Sequence, residues 1–176
     1  METITVDVFR DDVYDEVAKA TDYTGAKLLA GDPGARERLL ATDAALGELG
    51  LFWDESVTAA NARLGELLVS GSTKEVSVLP VTTHSGGVPG GAVGPVRPVL
   101  SKVAYEAVIA VSVSFDRSLA ASVQSSLRSF FVDSVLGRWY RLCSSEESAG
   151  CFARAGEWLD CAERLLYSRK PPGRVQ

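Results

Sequence analysis

The chain is poor in the residues that most often do chemistry. Among 176 residues there is one histidine, His84, and there are three cysteines, Cys143, Cys151 and Cys161. A three-histidine metal site within one chain is therefore excluded. A serine–histidine–acid triad would have to be built on His84, and the sequence contains no GxSxG turn to present the serine. His84 precedes a glycine-rich stretch, so no regular element fixes it as a general base. The cysteines are odd in number and contain no CxxC pair. Their spacings of eight and ten match no zinc knuckle or ribbon. On one helix Cys151 and Cys161 would stand about 15 Å apart, too far for a bond or a shared metal. They read as small core or boundary residues of a protein from a reducing compartment.

Long apolar runs are missing as well. No stretch approaches 18 uncharged apolar residues, so no membrane-spanning helix is expected. The opening Met1-Glu2-Thr3-Ile4-Thr5-Val6-Asp7 has neither the basic region nor the apolar run of a secretory leader. An excess of basic charge is lacking too. With 18 Lys and Arg against 23 Asp and Glu, the net charge is −5, and duplex binding is not the expected main business.

What is present suffices for a folded core. The composition is 46% apolar, which excludes a high-charge disordered chain. The length is that of one ordinary domain, 1–176, able to fold without metal or disulfides. Charge is unevenly spread: residues 1–70 hold 14 acids and 6 bases, residues 71–176 hold 9 and 12. The halves are electrostatically complementary, which serves either packing within the chain or head-to-tail contact between copies.

Along the chain, Ile4, Val6 and Val8 alternate as in a short strand. From Asp7, a candidate cap, the pattern turns helical, with Phe9, Val13, Val17 and Ala20 on one stripe. Asp32-Pro33 predicts a short helix over 33–41. Thr42 or Asp43 then caps a longer helix over 43–69. Its stripe is Leu46, Leu49, Trp53, Val57, Ala60, Leu64 and Leu67, and Ser70-Gly71-Ser72 ends it. Residues 75–81 and 104–115 read as antiparallel strands, with the odd positions Tyr105 to Phe115 on a common face. Between them, 84–98 holds five glycines and three prolines in fifteen residues, which predicts a long flexible loop. Asp116 caps a helix over 117–142, with the stripe Leu119, Val123, Leu127, Phe130, Phe131, Val135, Leu136, Trp139 and Leu142. Its other side, Ser122, Ser125, Ser126 and Ser129, is small enough for close helix approach. Ser144 to Glu147 forms a capping box for a helix over 145–168, with the stripe Phe152, Ala155, Leu159, Ala162 and Leu166. The expected fold is mainly α: an antiparallel bundle of three to four main helices. A two-stranded β ribbon is inserted over 75–115, carrying the flexible loop 84–98. Such a ribbon needs support behind it.

No catalytic, cofactor or metal site emerges. The run Gly86–Gly94 lacks both the GxxxxGK[ST] lysine and GxGxxG, and does not lead into a helix, so nucleotide binding is not expected. Asp11, Asp12, Asp15 and Glu16 read as a solvated helix face rather than ligands for Mg²⁺. Arg169, Lys170 and Arg174 form a basic tail that offers at most weak, accessory DNA contact. Trp53, Trp139 and Trp158 all fall on core stripes.

Three stretches carry a resemblance. They are Asp12-Val13-Tyr14-Asp15-Glu16-Val17-Ala18-Lys19 with Tyr23-Thr24-Gly25-Ala26-Lys27, Gln124 to Val132 leading into Arg138-Trp139-Tyr140, and Glu163 to Pro172. Together they resemble small head–tail connector or neck proteins encoded among the morphogenesis genes of phages and prophages of gut Bacteroidales. The Gly/Pro-rich middle departs from that pattern. The resemblance implies a non-enzymatic structural subunit, present in repeated copies, docking to a portal or tail protein. It would be found in the cytoplasm of the producing bacterium and in the virion. It supplies no catalytic residue. The alternative is a small intracellular helical binding or regulatory module, monomeric or dimeric. Three features favour a homo-oligomer: an edge of strand 104–115 left unpaired by a short partner, the charge split, and the small serine side of helix 117–142.

Overall fold

The computed structural model describes residues 1–28, 31, 34–42, 45–78 and 100–169, with only the backbone given for 38, 77, 78, 100 and 101. Three strands, β1 (Glu2–Phe9), β2 (Leu68–Val78) and β3 (Leu100–Val111), form one antiparallel sheet in the order β1-β3-β2. The helices are α1 (Arg10–Leu28), α2 (Ala35–Leu39), α3 (Leu46–Leu64), α4 (Ala120–Arg141) and α5 (Ser145–Leu166). The mainly helical reading therefore holds. The ribbon and helix numbers change: among the described residues, five helices and three strands stand where three to four main helices and a two-stranded ribbon were expected.

β1 explains the third strand. Its alternation buries Ile4, Val6 and Val8 and continues through Phe9 before α1 begins. Asp7 therefore lies within a strand rather than capping a helix, and Phe9 belongs to the sheet. α1 buries Val13, Val17, Thr21 and Gly25, four residues apart each time, as one helical stripe requires. The expected helix over 33–41 is α2, and its Asp32-Pro33 start lies outside the described residues.

β3 is the central strand. Val8 stands opposite Tyr105 on one side of it, and Thr73 does so on the other. Tyr105, Ala107, Ile109 and Val111 point into the core. β2 and β3 are antiparallel partners, as the pattern implied, but β2 starts at Leu68 and β3 ends at Val111. The edge thought to be open on residues 104–111 is paired along its length by β1. Val113, placed on the inward face by alternation, lies beyond the strand end and is exposed. Residues 79–99, with the predicted loop 84–98, lie outside the described residues.

The longer helix stops earlier than its stripe suggested. α3 ends at Leu64 and the chain turns at Gly65 into β2, so Leu67 and Ser70-Gly71-Ser72 are not its final turns. A side chain at Gly71 has no room. Its Cβ would meet Asn61 Oδ1, lie 2.8 Å from Leu68 and 3.0 Å from Tyr105 Oη. The space is taken by a lock in which Tyr105 Oη donates to Asn61 Oδ1 (2.8 Å) and Asn61 Nδ2 donates to Gly71 O (3.1 Å). Burial pushes the Tyr105 hydroxyl pKa up to about 12, so it remains a donor.

α4 is enclosed on most sides. Phe131 packs against Trp53 (ring centroids 4.6 Å apart), Tyr105 (5.1 Å) and Phe130 (5.3 Å), joining α3, β3 and α4. Trp139 Nε1 donates to Leu39 O at 2.7 Å and Tyr140 Oη to Thr24 Oγ1 at 2.9 Å, fastening α2 and α1 to α4. Asp116 caps a short 3₁₀ turn, Arg117–Leu119, that leads into α4, by accepting from Ser118 N. Leu46 and Leu142, assigned to core stripes, are exposed at helix termini. The capping box at Ser144 is not formed by its side chain; the Ser144 carbonyl accepts from Ser148 N instead.

Two substitutions probe this packing. Trp139→Ala should cost about 3–5 kcal/mol, because it empties a buried volume and leaves Leu39 O without its donor. Gly71→Ala should cost about 2 kcal/mol by forcing open the Asn61–Tyr105 lock. Denaturant midpoints check both, and wild-type midpoints would remove these contacts from the stability of the fold.

Candidate functional site

Among the described residues, those singled out for chemistry do not converge. Asp12 pairs with Lys102 at 3.6 Å, and Glu16 pairs with Arg128. Asp11 and Asp15 are exposed on α1. No group of His, Cys, Asp and Glu among the described residues is placed to hold a metal ion. Cys151 is buried, Cys161 partly buried and Cys143 exposed, so only the first two match a core or boundary role. Burial raises the Cys151 thiol pKa, although Arg154 beside it opposes the shift. His84, Lys170 and Arg174 lie outside the described residues, whereas Arg169 is exposed after α5. No described helix is long and apolar enough to cross a membrane.

Trp53 and Trp139 are in the core, but Trp158 is not. Its Nε1 donates to Asp133 Oδ2 at 3.0 Å, while Arg154 donates to Asp133 Oδ1 through Nε (3.0 Å) and Nη2 (2.8 Å). Asp133 is a nearly buried carboxylate on α4, and three charge-assisted bonds from α5 satisfy it. Sequence periodicity missed this because Asp133 lies off the apolar stripe of α4. The serine side of α4 is also taken in part by α5. Ser126 Oγ lies 3.6 Å from Cys161 Sγ. One turn from Asp133, Ser148 Oγ donates to Gly137 O at 2.8 Å.

An apolar-lined opening lies at one end of the sheet. A cleft of about 420 Å³ is lined by Leu67, Ala110, Val111, Val113, Leu166 and Tyr167, with Arg169 on its rim. Three conditions create it. β3 ends at Val111, the link from α3 to β2 passes through Leu67, and α5 ends at Leu166. The chain after α5 is then tied back by a bridge between Phe115 and Arg169. Val113 and Tyr167 remain 73% and 58% exposed beside the cleft. Exposed apolar side chains grouped at one opening mark an interaction surface or a ligand groove. The sequence hid this group because Leu67 and Val113 fit core stripes that both end before reaching them. None of the protein-family models, curated proteins or solved structures compared with the chain matches it.

A carboxyl on the sheet has unusual surroundings. Asp7 stands opposite Glu106 on β3, and its Oδ1 is buried without a hydrogen-bond partner. Burial first, and the Glu106 charge second, raise its pKa, while Lys74 pulls the other way. A carboxyl that holds its proton more tightly when folded destabilises the fold once ionised. The penalty is present above the raised folded pKa and disappears below the ordinary carboxyl range. Asp7→Asn should therefore raise the urea midpoint at pH 7 and lose that advantage as pH falls through the folded pKa of Asp7. An equal effect at pH 7 and pH 3.5 would remove the ionisation from the account.

Proposed function

We propose that the protein is a non-enzymatic structural subunit that self-associates and docks to a larger assembly. The connector-like resemblance makes a phage or prophage particle the setting and a portal or tail protein the partner. The observation that carries the reading is the apolar cleft at the sheet end, where exposed Val113 and Tyr167 line one opening together with Leu67, Val111 and Leu166. The polar groups that tie the elements together support it as well. Asn61, Tyr105, Asp133 and Arg154 bond to one another or to backbone, so they build the body rather than face a substrate.

Mass in solution tests this. Size exclusion with light scattering should show a species above 18.7 kDa that grows with concentration, or one formed on adding the portal or tail protein encoded beside it. A protein that stays monomeric at high micromolar concentration and ignores those neighbours would favour the small binding module instead.

A further inference from the structure

We propose that a second copy of this chain packs, about a twofold axis, on the surface centred on Tyr167; this rests on the assembly reading and names its contact. The cleft at the sheet end does not stand alone. A second cleft of about 320 Å³ shares Leu67 and Tyr167 with it and is bordered by Glu66, Arg63 and Glu163. A charged depression further along α5 continues from Arg63 and Glu163 to Glu157, Asp160 and Arg164. These openings form one continuous surface along the last three turns of α5.

That surface is polar in a definite direction. Its middle is Leu67 and the exposed ring of Tyr167. One end is apolar with Arg169 on the rim. The other end has four carboxylates, Glu66, Glu157, Asp160 and Glu163, against two arginines. One of those, Arg63, is already held at 2.7 Å by Asp160 and 2.9 Å by Glu163. The acidic end is therefore net negative and the Arg169 end positive.

A twofold contact requires a patch that complements itself. An axis through the middle of this one lays Tyr167 near its counterpart and carries each Arg169 toward the Glu66 end of the other copy. The result is a centre of Leu67 and Tyr167 flanked on each side by an Arg169–carboxylate contact. Because both complementary ends belong to one surface, the contact closes at two copies. The same charges on opposite sides of the molecule would propagate an open chain.

Sedimentation velocity on the full chain tests the proposal. Wild type should dimerise, and more weakly at 500 mM than at 50 mM NaCl. Tyr167→Asp should weaken the dimer at least about tenfold. Glu66→Arg and Arg169→Glu should each weaken it, and the double variant should recover to within about threefold of wild type. Circular dichroism confirms that each variant is folded. Folded variants that associate like wild type, or a double swap no better than the singles, would overturn this surface and leave the assembly reading standing. A wild-type chain that is monomeric, both alone and with the portal or tail protein, would overturn both.

Discussion

The ring of Phe131 is the constraint on which the other elements depend. It sits between Trp53 of α3 and Tyr105 of β3, so the helical layer and the sheet are joined at one aromatic contact. Rings of this size bury large apolar area and prefer tilted or edge-on neighbours, and tilted geometry is what these contacts show. Once Phe131 is fixed, α4 has no freedom to rotate. Its neighbour Phe130 and, one or two turns on, Leu136, Trp139 and Tyr140 must then be covered by other parts of the chain. α1, α2 and α3 supply much of that cover, and β1 is held beside α4 where Gln124 donates to Asp7 O.

The uneven charge of the two halves finds its use inside the chain. Glu2 pairs with Arg117, Asp12 with Lys102, Glu16 with Arg128 and Glu55 with Arg138, and each pair joins an acid of the first part to a base of the second. Such half-exposed pairs contribute little individually, about 0–1 kcal/mol each. Their effect is to draw the acidic first part onto the basic second part, and the four pairs are the ones this docking makes. The small side of α4 is consumed in a similar way. Gly137 lets the ring of Phe152 come so close that an added Cβ would stand 3.1 Å from it. Asp133 then holds Arg154 and Trp158 of α5. Two of the three features that suggested association through the sequence are thus at least partly satisfied within one copy, and the third, the unpaired edge of β3, is closed by β1.

The apolar surface that remains is a by-product of where elements end. Hydrophobic alternation carries on through Val113, but the ladder stops at Val111. Helical periodicity reaches Leu67, but α3 stops at Leu64. Side chains beyond an element's last hydrogen bond lose the partner that would have covered them. Here two such overruns and the end of α5 meet at the same place, and Tyr167 stands over it.

The four long helices, the antiparallel pairing of β2 with β3, and the placement of Trp53, Trp139 and most of the α4 stripe in the core were legible from residue patterns. These follow from local periodicity, which one chain segment carries on its own. Tertiary structure alone decided the rest. β1 joins the sheet because β3 needs a partner on its second edge, and that partner is far off in the chain: Thr5 stands opposite Val108 and Val8 opposite Tyr105. Gly71 reads locally as a helix stop, yet it lies in β2 opposite Ala107 of β3, and it is glycine because Asn61 and Tyr105 occupy the space of a side chain. Trp158 moved from core to surface because Asp133, a residue invisible to apolar patterning, offers its indole nitrogen a carboxylate. The cleft at Tyr167 was illegible for the same reason: it is made by three chain ends meeting, and no segment contains that information.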